Sequence, residues 1–416
     1  MDSARADMLS ARHRLQTGGW IARHAEHFRH LPPPAAELWL GGTDDEACEA
    51  HPLAGAGWTL HPLGDSAQGR VEARWLDGAD ARQRAELLAG LPVPEDGDDA
   101  APFAWAHRAL CRHGLRLRIG GDERSAGSRA GIVWLQLRHQ PRAAVEAPLL
   151  VLDLQPGAQV VLVERHERDA TACSHAVVQN LQVHVRLGEG AVLRHLRIVA
   201  PGPDDSLAHH LHLKLERGAR HALATLAAGS RYHLQRQVIE LQGERSAARS
   251  AGVLFAGGTS TLEQQVRVAH AAARTHSEVA MLALARDKAH MVANAHTRIA
   301  PGAAEAEVRQ RLTGIPTGGQ PRLVLRPHLE ILHDQVQAHH GATWGALPED
   351  ALFYARQRGL DERSAHALIV EGLAGALLQQ GFADDADLAP LGLEHLLHEM
   401  VARHLAQPAA AGTDHG

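Results

Sequence analysis

Short runs of alternating apolar and polar residues dominate the middle of the chain, from about residue 115 to residue 331. The alternation is clearest in LQVHVRL at residues 181–187 and in LHLKL at residues 211–215. A period of two is typical of β-strands that bury one face and expose the other. Similar runs occur at residues 115–119, 131–137, 149–154 and 160–163. No helix-period segment long enough for a crossover separates these runs, so the pattern predicts a long region built mainly from strands.

Gly-Ala pairs punctuate the strand runs. They occur at residues 157–158, 190–191, 218–219 and 302–303, where small side chains let the backbone turn sharply. Many short strands without intervening helices are compatible with a sandwich, a closed barrel or a β-helix. The length of the region and its richness in small residues favour the β-helix, in which each coil stacks on the one before it.

Helical patterns flank the strand region. Residues 4–30 and residues 81–89 predict two helices in an N-terminal part that we expect to be mostly helical. We therefore divide the chain into an N-terminal region of residues 1–110, a β-helix core of residues 111–345 and a C-terminal helical domain of residues 346–416.

The C-terminal pattern becomes helical after Gly345. Pro348 fits the first position of a helix, and Gly359 fits its end. Asp361 predicts the cap of a second helix that reaches Gly381, and residues 391–405 predict a third. About three helices cannot bury their own apolar surface, so we expect them to dock on the strand region or on a partner.

Composition narrows the class of protein. The 416 residues carry a formal net charge of −6, which argues against a general nucleic-acid-binding protein. No run of about 18 apolar residues predicts a membrane span, and the N-terminus lacks the apolar core of a secretory signal. The three cysteines are odd in number and form no CxxC pair, which fits a reducing compartment. We therefore expect a cytoplasmic protein with no membrane partner.

Motifs for nucleotide binding and catalysis are missing from the sequence. Neither a GxxxxGK[ST] loop nor a GxGxxG run after a strand occurs. Cys173 and His175 would share one face of a strand, but without a third group we favour a structural cysteine. His395 and His398 lie three positions apart, and with His404 they are interpreted as solvated surface histidines. We expect a protein that is not an enzyme.

His339 and His340 are the most notable candidate metal ligands. They follow the last predicted strand run, residues 329–332, and precede a predicted loop at residues 341–343. In an extended backbone the two rings face opposite ways, so only one of them can point at a given site. Metal ligation and turn histidines that bond to the backbone are both open interpretations.

The segment around these histidines resembles the C-terminal signature of the SufB/SufD family of iron–sulfur cluster assembly proteins, in its SufD form. The matching residues are RPHLEI at 326–331, Asp334, Val336, HGAT at 340–343, Gly345, Leu347, LFY at 352–354, Arg356 and RG at 358–359. The resemblance implies a right-handed parallel β-helix followed by helices. It also implies a complex with a SufB-like paralogue and with SufC, an ABC-type ATPase, which would supply the nucleotide chemistry.

The same resemblance implies roles for individual residues. It places His340, with His339 as the alternative, at the interface with SufB, where a nascent iron–sulfur cluster would be held. It implies that Leu352, Phe353, Tyr354 and Arg358 contact SufC or support that contact.

The chain also departs from the family pattern. Ala338 replaces a cysteine that is usual in the family, and His339 replaces a small residue. These departures keep a metal-free scaffold paralogue open, whereas a carbohydrate-active β-helix enzyme is the less favoured alternative. The residues do not decide whether a flavin binds.

Overall fold

The computed structural model of the chain describes residues 3–41, 57–63, 69–94, 98–120, 131–168, 175–382 and 391–406. The helices are α1 (Ser3–Gly18), α2 (Ala36–Leu40), α3 (Ala81–Leu87), α4 (Ala101–Leu110), α5 (Glu349–Gln357), α6 (Glu362–Gly381) and α7 (Leu393–Leu405). The first strands are β1 (Trp58–Pro62), β2 (Val71–Asp77), β3 (His113–Ile119), β4 (Ile132–His139), β5 (Val145–Glu146), β6 (Leu149–Leu154), β7 (Gln159–Glu167), β8 (Val178–Leu187), β9 (Val192–Ala200) and β10 (Ser206–Leu215). The remaining strands are β11 (Arg220–Ala228), β12 (Tyr232–Leu241), β13 (Ala247–Ala256), β14 (Thr261–His270), β15 (His276–Asp287), β16 (His290–Ile299), β17 (Ala306–Gly319), β18 (Arg322–Ile331) and β19 (Val336–Trp344).

From β6 onwards, successive strands alternate between two sheets that face each other. One sheet has nine strands in the order β1-β4-β7-β9-β11-β13-β15-β17-β19, and the other has ten in the order β18-β16-β14-β12-β10-β8-β6-β3-β2, with β5 beside β8. Neighbours pair in parallel, except for the antiparallel pairs β1–β4 and β2–β3. This topology is a parallel β-solenoid, which confirms the predicted β-helix.

The solenoid encloses a narrow interior, the lumen, which alternate residues of every strand face. Because the strands pair in register, lumenal side chains of successive coils form rows. The row that matters most here runs through the nine-stranded sheet and is called the central row. Its members are Leu162, His195, Leu223, Ser250, Val279, Gln310 and His340. Apolar members of such rows form the main core.

The corners of the coils follow the predicted Gly-Ala pairs. Gly157, Gly190 and Gly218 adopt φ of +71°, +64° and +65°, the left-handed region that suits glycine. Each is followed by a fully buried alanine, so a larger side chain would collide with the next coil. In later coils Arg245 and Arg274 take the same left-handed conformation, with φ of 59° and 57°. Glycine therefore marks only part of the repeat in the sequence.

Helices cover both outer faces of the solenoid. α1, α2 and α4 lie over the ten-stranded sheet, where Trp39 packs edge-on against Phe103 at 5.0 Å. α6 and α7 lie over the nine-stranded sheet, where Val370 and Leu378 join a core with strand residues such as Phe255. None of the helices in the described ranges is long and apolar enough to cross a membrane.

The structure corrects three of the local predictions. α1 ends at Gly18 instead of residue 30, because Gly18 and Gly19 interrupt it. β1 and β2 lie in the region that was expected to be mostly helical, and they extend the two sheets. The predicted loop at residues 341–343 is wrong, because β19 continues through it and pairs with β17 from Val336 to Trp344. A complete strand ladder outweighs the weak local preference of small residues.

The C-terminal helices agree more closely with their predicted bounds. Pro348 is the residue before the first turn of α5, and Gly359 follows its end with φ of +90°. The carboxylate of Asp361 caps α6 by accepting a hydrogen bond from the Ser364 backbone N–H at 2.7 Å.

Candidate functional site

The last coil of the solenoid is open on one side. This terminal coil consists of β18 and β19, each of which has a single strand neighbour among the described residues, β16 and β17 respectively. Its exposed side includes Ile331, Leu332 and Trp344, whose exposed fractions are 45%, 45% and 63%. An unpaired strand edge beside exposed apolar side chains is the usual signature of a docking surface.

His339 and His340 lie within β19 and face opposite sides of it. His340 is in register with Gln310, which is buried, whereas His339 is in register with Arg309, which is exposed. Ala338, two positions before His340, packs against an interior apolar cluster, so His340 lies on the lumenal side. Both histidines are exposed, because none of the described strands continues the sheet beyond β19.

The histidine pair therefore does not form a chelating unit on its own strand. The structure places the two rings on different faces, as the extended geometry predicted. Among the described residues, no group of three or more His, Cys, Asp or Glu side chains is arranged to hold a metal ion.

A polar floor lies below His340 in the lumen. Gln310 is 4% exposed, and its Nε2 donates hydrogen bonds to Thr297 Oγ1 at 2.8 Å and to the His328 carbonyl at 3.1 Å. Its Oε1 has no hydrogen-bond partner in the described part of the chain. Gln310 and His340 line one groove, together with Glu278, Val279, Arg309, Arg311, His339 and Gly341.

Ion pairs organise the outer side of this groove. The carboxylate of Glu278 lies 3.7 Å from the Arg311 guanidinium and 3.8 Å from that of Arg249. Arg311 and Arg309 project from the outer face of β17, because they alternate with its buried residues. The outer side is thus charged, whereas the lumenal side below His340 is lined by uncharged groups.

A second exposed surface lies on α5 and the start of α6. Phe353 and Tyr354 are 63% and 56% exposed, and the Arg358 guanidinium lies 3.8 Å from the centre of the Tyr354 ring. Leu352 is half-buried and packs against the core between the helices and the sheet. The structure adds Leu360 and Leu368 as exposed apolar residues that the sequence analysis missed. We call Phe353, Tyr354, Arg358, Leu360 and Leu368 the helical patch.

A sealed polar cluster fills the lumen near the other end of the solenoid. The carboxylate of Glu164 accepts hydrogen bonds from His166 Nε2, from His195 Nε2 at 2.8 Å and from Arg197 Nε at 3.2 Å. Burial by itself raises the pKa of Glu164, but the charge of Arg197 and the two histidine hydrogen bonds hold it well below its ordinary value. All of these residues are buried.

The cluster extends across the lumen to the ten-stranded sheet. Arg197 donates to Gln235 Oε1 at 2.7 Å and contacts His209 Nδ1 at 3.1 Å. Burial is the main reason that the pKa of His209 lies well below 6.5, and it lowers the pKa of His233 to about 3. The sequence analysis missed this lumenal cluster, although Glu164 and His166 share the parity of apolar Val160 and Leu162 in one strand run.

The other candidates from the sequence have different outcomes. Cys173, like Cys48, lies outside the described residues. His395 and His398 are exposed, and each lies beside a carboxylate, as surface histidines do. The surface prediction for His404 is wrong, because its ring is buried against Phe255 and lies 2.8 Å from Thr317 Oγ1.

Comparisons with known proteins agree with this architecture. The family model described as "SUF system FeS cluster assembly, SufBD core domain" matches residues 138–373, more than half of the chain. A SufBD family protein of Synechocystis is 25% identical over 250 residues, which cover 58% of this chain and 54% of that protein.

Two further relatives are also described as iron–sulfur cluster assembly proteins. Escherichia coli SufD is 23% identical over 231 residues, 55% of this chain and 53% of that protein. A SufBD family protein of Mycobacterium tuberculosis is 29% identical over 206 residues, 47% of this chain and 44% of that protein. The chain spans about half the length of the curated relatives it matches. The family model and the β-solenoid together show that the chain belongs to the SufBD family of iron–sulfur cluster assembly proteins.

Proposed function

We propose that this chain is one half of a two-solenoid scaffold on which iron–sulfur clusters are built and from which they are transferred. Its terminal coil would pair with the end of a SufB-like paralogue, and His340 would bind the nascent cluster at that seam. The observation that carries the proposal is the position of His340, on the lumenal face of the last and uncovered strand.

The terminal coil has the physical properties that end-to-end pairing of two solenoids requires. The free edges of β18 and β19 offer backbone N–H and C=O groups in an extended conformation, to which another strand can bond. Docking would also bury Ile331, Leu332 and Trp344. Burial of apolar area and completion of the strand ladder favour the same arrangement of the two chains.

His340 fits the ligand role better than His339. A partner coil stacked on β19 would continue the central row over His340, whereas His339 faces away beside Arg309. Neutral imidazole and thiolate both suit iron. Because Ala338 offers no thiolate, we assign the sulfur ligands to the partner, and the cluster is cargo held between the two chains.

The helical patch would bind a SufC-like ATPase. Phe353 and Tyr354 supply large exposed aromatic surfaces, and Arg358 stacks on Tyr354, which are the residue types that dominate binding energy at interfaces. Leu352 would support the patch from below through its contacts with the helix–sheet core. In this proposal residues 346–416 form a docking domain on the β-helix core of residues 111–345, and α1, α2 and α4 of the N-terminal region, residues 1–110, lie on the opposite face.

The two neighbouring histidines provide the test of cluster binding. We expect His340→Ala to lower iron and acid-labile sulfide on the purified complex at least tenfold while the paralogue and the ATPase still co-purify. His339→Ala is the matched control, because it changes the same residue type on the same exposed strand. Equal cluster content in wild type and His340→Ala would overturn the assignment.

The same co-purification experiment tests whether the helical patch binds the ATPase. We expect the double substitution Phe353→Ala and Tyr354→Ala to release the ATPase but to retain the paralogue, because the patch and the terminal coil use separate surfaces. If the ATPase stays bound, the helical patch is not its docking surface.

A metal-free scaffold paralogue is the second candidate function, and Ala338 is the residue that favours it. This candidate predicts a stable complex in which neither His340→Ala nor His339→Ala changes the iron content. The histidine substitutions therefore separate the two functions in one experiment.

A further inference from the structure

Gln310 lies directly below His340 in the central row, and its amide oxygen has no hydrogen-bond partner among the described residues. We propose that Gln310 is a positioning residue for His340. Its free Oε1 accepts a hydrogen bond from the imidazole N–H when the terminal coil is covered, and this bond fixes which ring nitrogen faces the seam. The inference rests on the proposed function, because it concerns His340 in the assembled complex.

The orientation of the Gln310 amide is determined by its neighbours. The His328 carbonyl can only accept a hydrogen bond, so the NH₂ group of Gln310 must face it, at 3.1 Å. The second N–H is used by Thr297 Oγ1 at 2.8 Å. The carbonyl oxygen therefore lies on the other side of the amide, buried and unpaired. A buried amide oxygen without a donor costs about 1–3 kcal/mol.

His340 is the donor that the geometry provides. β17 and β19 are parallel neighbours, roughly 4.8 Å apart, and the two residues are paired on the same face. The other charged or ring-bearing residues of the groove, Glu278, Arg309, Arg311 and His339, project from the outer face. Val279 and Gly341 have no polar side-chain atom. Among the described groove residues other than Gln310 itself, only His340 places a side-chain N–H donor on the lumenal side.

The consequence for ligand chemistry follows from the structure of imidazole. A neutral ring has one N–H and one nitrogen with a free lone pair, and the two nitrogens point to different sides. If the N–H of His340 points to Gln310, the lone pair on its other ring nitrogen points away from Gln310, towards the partner. Hydrogen-bond partners of this kind typically change metal affinity by about 10–100-fold.

The assembled complex allows a direct measurement of the ring tautomer. The chain is prepared with ¹⁵N-labelled histidine, combined with unlabelled paralogue without iron, and the ring nitrogens are recorded by solid-state NMR. The His340 signals are those that disappear in His340→Ala. Gln310→Met removes the acceptor but keeps the length of the side chain. Gln310→Glu keeps an oxygen acceptor, because a carboxyl buried there stays protonated and also donates to the His328 carbonyl.

A matched control lies deeper in the lumen. Gln264 is 1% exposed, lies on β14, and has no partner for either amide atom, so Gln264→Met makes the same chemical change away from His340. We expect one tautomer of His340 to predominate in wild type, in Gln264→Met and in Gln310→Glu. Gln310→Met should shift the tautomer ratio by roughly threefold to tenfold, the effect of one lost hydrogen bond.

The tautomer readout does not depend on iron, which separates this inference from the proposed function. An unchanged tautomer ratio in Gln310→Met overturns the positioning role, whatever the cluster content. A shifted ratio in Gln264→Met as well would assign the effect to general loosening of the lumen and would overturn it too. Unchanged iron and sulfide in His340→Ala would instead contradict the proposed function and leave the tautomer result intact.

Discussion

His195 and His340 lie in the same central row of the nine-stranded sheet, yet their surroundings are opposite. His195 is completely buried and donates to Glu164 at 2.8 Å. His340 is exposed at the uncovered end of the solenoid and lies above an amide oxygen that has no partner. The two residues have the same type and the same lumenal orientation. The difference in their burial therefore comes from the coils around them, because His195 has coils stacked on both sides and His340 has coils on one side.

This comparison separates two uses of polar residues inside one solenoid. The lumenal cluster around Glu164 and Arg197 satisfies its charges with its own side chains, and it contributes to a unique arrangement of the first coils. The terminal coil leaves polar and apolar groups without partners, so it gains the most from a second chain. Stability should therefore depend mainly on the sealed region, and partner-dependent properties on the open one.

The largest difference between the two regions should be in how their contributions to stability change at acidic pH. Burial holds the pKa of the imidazoles in the lumenal cluster below 6.5, whereas in the unfolded chain they titrate near 6.5. The residues concerned are His166, His209 and His233, together with His139, whose ring centre lies 5.8 Å from that of His166. Below pH 6.5 the unfolded chain therefore binds more protons than the folded chain. The contribution of these neutral imidazoles to the free energy of unfolding is complete above pH 6.5 and is lost as the pH falls. At pH 5 the loss reaches about 2 kcal/mol for His233, whose pKa burial lowers to about 3.

Two buried carboxyls oppose this trend. Burial raises the pKa of Glu146 to about 7 and that of Glu263 to about 8, so the folded chain keeps their protons and their contribution falls as the pH rises. Urea unfolding of the isolated chain at pH 7 and pH 5 measures the combined effect of these histidines and carboxyls on the free energy of unfolding. In His233→Gln the slope of the unfolding free energy against pH should decrease by up to about 1.4 kcal/mol per pH unit. An unfolding free energy whose pH dependence is the same in wild type and in His233→Gln would contradict a sealed cluster of neutral histidines.

Removing the charge of Glu164 should have the next largest effect. Glu164→Gln leaves the buried guanidinium of Arg197 without its carboxylate, which typically costs about 3–5 kcal/mol. Glu307→Gln is the matched control, because Glu307 lies 3.5 Å from His276 at an exposed position and should cost less than about 1 kcal/mol. Chemical denaturation at pH 7 measures both changes. Similar costs for the two variants would show that the lumenal cluster is not sealed from solvent.

The smallest expected effects come from replacing the two histidines of the central row. His195→Ala removes one of the donors to the Glu164 carboxylate and should destabilise the isolated chain by about 1–3 kcal/mol. His340→Ala removes an exposed ring and should change stability by less than about 0.5 kcal/mol. Thermal unfolding of the two variants under one condition compares them. A cost for His340→Ala that equals that of His195→Ala would mean that the terminal coil is covered by its own chain.

Local patterns predicted the strands and the caps of the helices with good accuracy. Alternation at residues 181–187 and 211–215 falls within β8 and β10, and Asp361 caps α6 through Ser364. These features depend on a few neighbouring residues, so the sequence expresses them directly. β19 was missed because HGATW has little strand preference, and its strand conformation comes from pairing with β17.

The sequence by itself determined the period-two strands, the Gly-Ala corners, the capped C-terminal helices and the SufB/SufD-like signature that includes His340. Each of these is written in contiguous residues. Only the tertiary structure decided that His340 lies on the lumenal face with Gln310 below it, that His339 faces outward, and that Glu164, His195 and Arg197 meet in a sealed cluster. These relations join residues on different coils, and their register and burial are set by the stacking of the whole solenoid.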